Sequence, residues 1–405
     1  MLPAPPKLPP SKLPPAWLIG MNLVPFGMAW ALSTTALPFL LTSAHVSVDR
    51  VASISALLLS PSFWGVLFAP IVDTGFTRRT HAFLLAGIAI VCTGAGLWIL
   101  SPEHLFGMTA LLLTGNLAIY VYGAAVLGWT ADFVPDAIRG QVGGWSNAAN
   151  LGAGAAAALL TMQLAQRFSV RVAASALVAL LTLSLLPLLF YPRPGKPKLA
   201  PRQAIGGTLR EVWETSKQRS SLVGFALFLS PTGAFGVSNL FSGLGNDFHA
   251  DPQRVIWITG AGVAIATALG SITGGFIADR FARGYVYLGG GITAGLCATA
   301  LALSHRTALS FSAGVLAYSI GVGVGFASFT ALCLQLVGFE HAVAGTQITL
   351  FGSAGNAAIV YMTWLDGQGY RLFGLRGLFA MDAGLSLLTA VPLLWLVHRE
   401  LRRAR

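Results

Sequence analysis

Apolar runs of roughly twenty residues alternate with short polar breaks along almost the whole chain, the pattern of helices that cross the hydrocarbon core of a bilayer. Hydropathy predicts a helix from Trp17 to Thr42 and further helices near 52–72, 82–100, 106–130, 141–165, 171–191, 222–245, 255–278, 284–303, 308–336, 343–365 and 376–397, twelve crossings in all. The first run is too long for a secretory leader and reads as a retained span. Connections such as Ser101 to Leu105 leave room only for tight turns between antiparallel helices. The longest polar interruption, 192–220, holds four prolines and seven basic residues and divides six spans from six. The expected organisation is a proline-rich disordered tail over 1–16, a six-helix half over 17–191, a linker over 192–220, a second six-helix half over 221–397 and a basic tail over 398–405. Within the linker, Leu209, Val212, Trp213 and Ser216 recur at helical spacing, as in a short helix lying on an anionic membrane surface or a solvated linker helix.

Composition agrees with this pattern. Of the 405 residues, 55% are hydrophobic and 10% charged, and the mean hydropathy is +0.71, which excludes ordinary soluble domains. The net charge of +11 raises the question of nucleic acid, but the basic residues sort by loop instead. With an inward amino terminus, eighteen of the 25 Lys and Arg fall on the cytoplasmic side, seven outside and none within a span. The charge is thereby explained by topology, with both termini cytoplasmic and the plasma membrane as the expected location. Cys92, Cys297 and Cys333 lie in apolar stretches without a Cys-x-x-Cys spacing, so neither a disulfide framework nor a metal site is indicated, and no cofactor is expected.

A fixed offset of 206 residues relates the halves. Pro25 and Gly27 recur as Pro231 and Gly233, Asp73 as Asp279, and Asn150 as Asn356. An even number of spans per half makes these parallel repeats about an axis along the membrane normal.

The segment Gly275-Phe276-Ile277-Ala278-Asp279-Arg280-Phe281-Ala282-Arg283 resembles the signature loop of the major facilitator superfamily between spans eight and nine. The first-half copy, Phe68-Ala69-Pro70-Ile71-Val72-Asp73 followed by Arg78 and Arg79, keeps the aspartate and the basic pair. Within the superfamily, that segment, Asp132-x-x-Pro135-x-x-x-Arg139-Gly140, and Gly345-Thr346-Gln347 with Asn356 are similar to the muropeptide permease and acetyl-CoA transporter group; bacterial siderophore permeases carry comparable patterns. The resemblance implies an all-α fold of twelve transmembrane helices in two six-helix halves. It also implies that Asp73 meets the start of span eleven and Asp279 the start of span five. Asp73, Arg78, Arg79, Arg139, Asp279, Arg280 and Arg283 are therefore the expected lock on the cytoplasmic seam, where a carboxylate at a helix amino terminus is favoured.

The same resemblance makes spans one, four, five, seven, ten and eleven the lining of a central cavity. Near mid-depth those spans offer Trp30, Thr34, Asn116, Tyr120, Asn150, Asn239, Tyr318 and Asn356, candidates to bond a polar ligand and cover its apolar part. With no Lys or Arg at that depth, a multiply phosphorylated anion lacks charge-assisted partners, which favours a neutral, weakly acidic or amphiphilic solute. Intramembrane carboxylates often mark ion pathways. Asp382 stands out as the acidic residue within a span, although an ion pair with Arg376 is the preferred reading; Asp247 at the outer end of span seven is the other coupling candidate.

The expected protein is thus a monomeric secondary transporter that takes up a muropeptide- or siderophore-like solute, with proton coupling open. Drug or metabolite efflux on the same fold is the alternative, and a non-transporting sensor or lipid scramblase the alternative of another class. An enzyme is not expected. His45-x-x-x-Asp49 lacks a partner motif, and all seven histidines lie in loops or at span ends.

Overall fold

The computed structural model describes residues 13–193, 210, 213, 214, 216–338 and 343–404. The tail before Leu13, most of the linker including Leu209 and Val212, and Arg405 lie outside the described residues, so the extended tail and the surface helix proposed for them are not addressed.

Among the described residues every regular element is helical. Ten stretches are long and apolar enough to cross a membrane: Ala16–Ser43, Ser53–Asp73, Arg78–Trp98, Pro102–Phe133, Asp136–Arg167, Val170–Phe190, Pro252–Arg280, Arg283–Leu303, Ala308–Val337 and Ala344–Arg403. The last is two spans, because at Gly374 the backbone turns through φ 64°, a conformation that favours glycine. The chain then folds back so closely that a Cβ on Gly369 would lie 2.6 Å from the carbonyl oxygen of Gly377. Span seven completes the set in broken form. Helix Arg219–Phe228 gives way at Pro231 to single tight turns, Pro231–Gly233, Gly236–Asn239, Phe241–Gly243 and Asn246–Phe248, with Phe235 left-handed at φ 53°. Proline removes the donor that would continue the helix, and unwound backbone at membrane depth is tolerated where it is buried in protein or lines a cavity.

Span one, the counterpart of span seven, bends at Leu23 but resumes beyond Pro25 and then widens into an i→i+5 turn over Leu32–Ala36. Span two changes from the helix Val48–Leu59 to a tighter helix over Gly65–Asp73 that contains Pro70. The first half packs around Trp129, Tyr122 and the alanines of spans three and four, the second around Phe235, Phe241, Phe248, Phe311 and Phe379.

The halves approach most closely where small residues allow backbone contact. A Cβ on Gly140 of span five would collide with the carbonyl oxygen of Gly275 in span eight, and one on Gly144 with that of Ser271. Among the described residues, every hydrogen bond between the halves lies at this end of the bundle or near mid-depth; its deepest members are Tyr120 to Ser353 at 3.2 Å and Asn356 to the carbonyl of Ser62 at 3.3 Å.

Candidate functional site

Two carboxylates close the joined end. Asp73, buried at the end of span two, faces the amino terminus of span eleven. It accepts the backbone N–H of Gly345 at 3.2 Å and of Thr346 at 2.8 Å, and the Thr346 hydroxyl at 2.7 Å. Asp279, at the end of span eight, faces the amino terminus of span five and accepts the N–H of Gly140 at 2.6 Å and of Gln141 at 2.9 Å. Each places negative charge where a first helical turn leaves donors unpaired and the dipole is positive. Glycine at 140 and 345 is what admits the carboxylate: a Cβ on Gly140 would sit 2.7 Å from Asp279 Oδ1, and one on Gly345 3.2 Å from Asp73 Oδ1.

The basic residues nearby divide. Arg78 donates Nη2 and Nε to Asp73 Oδ1 at 2.8 and 3.1 Å, and Nη1 to both oxygens of Asp132 at 2.7 and 2.8 Å. Arg283 crosses the seam to Asp136 at 2.7 Å and donates to Gln335 at 2.9 Å; its approach to Asp279 is 3.9 Å. Arg139 is buried 3.5 Å from Asp136. Arg79 instead lies over the rings of Phe83 and Trp129, and Arg280 is exposed. Asp132 and Asp136, the counter-charges, were not singled out from sequence. The signal was available, since both fall in the Asp132-x-x-Pro135-x-x-x-Arg139 segment.

At mid-depth a cavity in the first half brings together Trp30, Asn116 and Tyr120, with Phe26, Ser33, Leu58 and Ser62 around them. Asn116 donates to the Ser33 hydroxyl at 2.8 Å and the Leu58 carbonyl at 3.0 Å, which fixes its amide at the wall. Thr34 sits on the widened turn of span one and bonds back to the Trp30 carbonyl. Asn239 is exposed on broken span seven and donates to Thr363 at 3.0 Å. The Asn150 carbonyl packs on Gly27, whereas Gly233, the counterpart of Gly27, packs on the Tyr287 hydroxyl, so the repeat is not exact here. Tyr318 departs from its expected place at the cavity. It is 1% exposed and donates to Asp382 at 3.2 Å.

That contact also overturns the expected ion pair of Asp382 with Arg376. Asp382 is 1% exposed and accepts from Tyr318, while Arg376 is exposed. Six residues along a helix do not share a face, which is why proximity in sequence misled. Nor is Asp382 the lone acidic residue inside a span, because Asp366, one residue beyond the predicted end of span eleven, is fully buried. Asp247 bonds the Tyr370 hydroxyl at 3.0 Å, joining the far ends of spans seven and eleven.

Two helical halves, pinned together at one end by carboxylates on helix termini, define a two-bundle membrane fold. The sequence model of the Major Facilitator Superfamily matches residues 223–405. Solved structures share the fold over nearly the whole chain. The proton:xylose symporter XylE is 14% identical, with 94% of this chain and 93% of that one covered and a TM-score of 0.65. The human organic anion transporter MFSD10 is 15% identical, with 95% and 100% covered and a TM-score of 0.68. The E. coli fucose:proton symporter FucP is 11% identical, with 94% and 99% covered and a TM-score of 0.65. No curated protein sequence matches the chain. The chain therefore has the major facilitator fold, its second half carries the superfamily's sequence pattern, and the proteins it resembles are transporters, not enzymes.

Proposed function

We propose that the protein is a secondary transporter that moves a small organic solute by alternating access, here with its outer side open and its cytoplasmic side locked. The observation that carries this reading is the pair of carboxylates, Asp73 and Asp279, each capping a helix of the opposite half at one end of the bundle only. Bonds of that kind exist in one arrangement of the halves and break in the other, so they bias a two-state equilibrium.

Trp30, Asn116 and Tyr120 form the core of the substrate site in this reading, with Thr34, Asn150, Asn239 and Asn356 reaching it as the halves rock. The aromatic faces and fixed amides suit an amphiphilic, sugar- or peptide-like compound, and uptake of a muropeptide- or siderophore-like solute is the favoured role. The cavity wall has no cationic side chain among its described residues, which disfavours polyphosphates such as coenzyme A esters. Proton coupling is part of the proposal.

Ligand-dependent thermal stabilisation of the purified protein tests the substrate class, with anhydro-muropeptides, ferric siderophores, acyl-CoA esters and lipophilic drugs as the panel. A shift with a muropeptide or siderophore, followed by flux of that compound into proteoliposomes, is the expected result. Stabilisation by lipophilic drugs alone would turn the assignment to efflux, and binding without flux would turn it to a sensor.

A further inference from the structure

We propose that Asp366 and Asp382 form a proton site at the break of span seven, holding one proton in the state seen here; the proposal rests on the transport reading only in giving that proton a use. Asp366 is 0% exposed, and neither of its carboxylate oxygens has a hydrogen-bond partner among the described residues. An ionised carboxylate so placed has lost water and gained nothing in exchange. Its neighbours make this worse. Asp382, 1% exposed, lies within electrostatic reach and already accepts the Tyr318 hydroxyl.

The facing elements supply no compensating cation. Span ten contributes Tyr318 and span nine contributes Cys297, both without positive charge. Span seven between Ser230 and Gly245 contains no titratable side chain, and it meets Asp366 with backbone: a Cβ on Gly236 would lie 2.5 Å from Asp366 Oδ2. Arg376, the nearest arginine in sequence to Asp382, is exposed. A metal ion would need a cage of oxygen ligands. Both oxygens of Asp382 face the Tyr318 hydroxyl, the Gly236 carbonyl accepts from Thr363 at 3.2 Å, and Met362 and the Thr363 backbone crowd the rest. A proton on Asp366 removes the charge without needing space.

The fold does not require these carboxylates. At the positions 206 residues earlier, the first half has Leu112, Leu160 and Ala176 in place of Tyr318, Asp366 and Asp382. What the second half gains is a link to the moving backbone. Thr363, on the same helical face as Asp366, holds both the Gly236 carbonyl and the Asn239 amide, on either side of the stretch that follows left-handed Phe235. When the O–H bond of Asp366 breaks and its proton leaves to water, the new charge repels Asp382 and attracts the backbone of span seven packed against it. The break in span seven, and with it Asn239, must then rearrange.

Infrared difference spectroscopy of the full-length protein in nanodiscs tests the site without any substrate, so its failure is separable from failure of the transport reading. At neutral pH the wild type is expected to show the C=O band of one protonated, buried carboxyl group, lost in Asp366→Asn, displaced in Asp382→Asn, and the same in sodium chloride as in choline chloride. Absence of the band in the wild type, its persistence unchanged in both variants, or its loss on adding sodium would overturn the proposal. Should Asp366→Asn fail to fold, the displacement in Asp382→Asn decides alone.

Discussion

The two carboxylates that close the seam sit at equivalent places, yet the arginines behind them are used in opposite ways. In the first half Arg78 stays at home, gripping Asp73 and Asp132, so the crossing is made by the carboxylate alone. In the second half Arg283 barely touches Asp279 and itself crosses to Asp136. The first lock is thus a single dry contact, with an Asp73 side chain 0% exposed and three donors of span eleven upon it. The second spreads over two crossings, one ending on an Asp136 side chain that is 67% exposed. Buried charge-assisted bonds are little screened, whereas an exposed pair contributes little and weakens with salt. On the proposed mechanism, one duplicated motif therefore yields a strong buried latch and a weaker, salt-sensitive one.

Breaking the strong latch should have the largest effect. Asp73→Asn removes the charge from the three bonds that cross to span eleven and turns an amide toward donors that the carboxylate accepts, a loss of about 3 kcal/mol in the closed state. That is roughly a hundredfold shift toward opening of this end. Ala131, a fully buried first-half residue packed among second-half side chains, supplies the reporter. With Cys92, Cys297 and Cys333 changed to Ala, maleimide labelling of Ala131→Cys should accelerate in the Asp73→Asn variant. Equal labelling rates would remove the lock from the mechanism.

Asp279→Asn breaks the other latch and should cost less, about 2 kcal/mol and roughly a thirtyfold shift, because the Arg283–Asp136 crossing survives. The same labelling assay, run at low and high salt, sharpens the comparison. Added salt should increase labelling further in Asp279→Asn, where the exposed pair is the crossing left at that latch, more than in Asp73→Asn. A salt response of equal size in both would mean that the two latches do not differ in character.

How far these features were visible in the sequence depends on whether their cause is local. Asp73 and Asp279 were legible because a loop aspartate beside basic residues recurs at one offset, and the spans were legible because hydropathy is a property of contiguous residues. Asp366 was missed because a hydropathy window averages a single carboxylate away and the predicted span stopped at 365. Asp382 was assigned to Arg376 by nearness along the chain, while its partner Tyr318 comes from another span and meets it only after packing. Tyr318 was placed at the cavity for the same reason: span membership says which helix lines it, not which face. The rupture of span seven was hinted at by Pro231, but Pro25 at the matching place leaves span one largely intact, so the local signal alone did not decide.

The smallest expected effect tests how Arg78 supports its aspartate. The guanidinium meets Asp73 through Nε and Nη2 and Asp132 through Nη1, a fork that serves two carboxylates at once. A lysine keeps the charge but offers one compact ammonium, which can serve one of them well and not both. Arg78→Lys leaves the three donors of span eleven on Asp73 untouched and only loosens the carboxylate's aim. The expected loss is about 1 kcal/mol, a several-fold rise in Ala131→Cys labelling. If Arg78→Lys instead matched Asp73→Asn, the arginine rather than the helix terminus would be the principal partner of Asp73, and the latch would be an ion-pair network within the first half that happens to lie against span eleven.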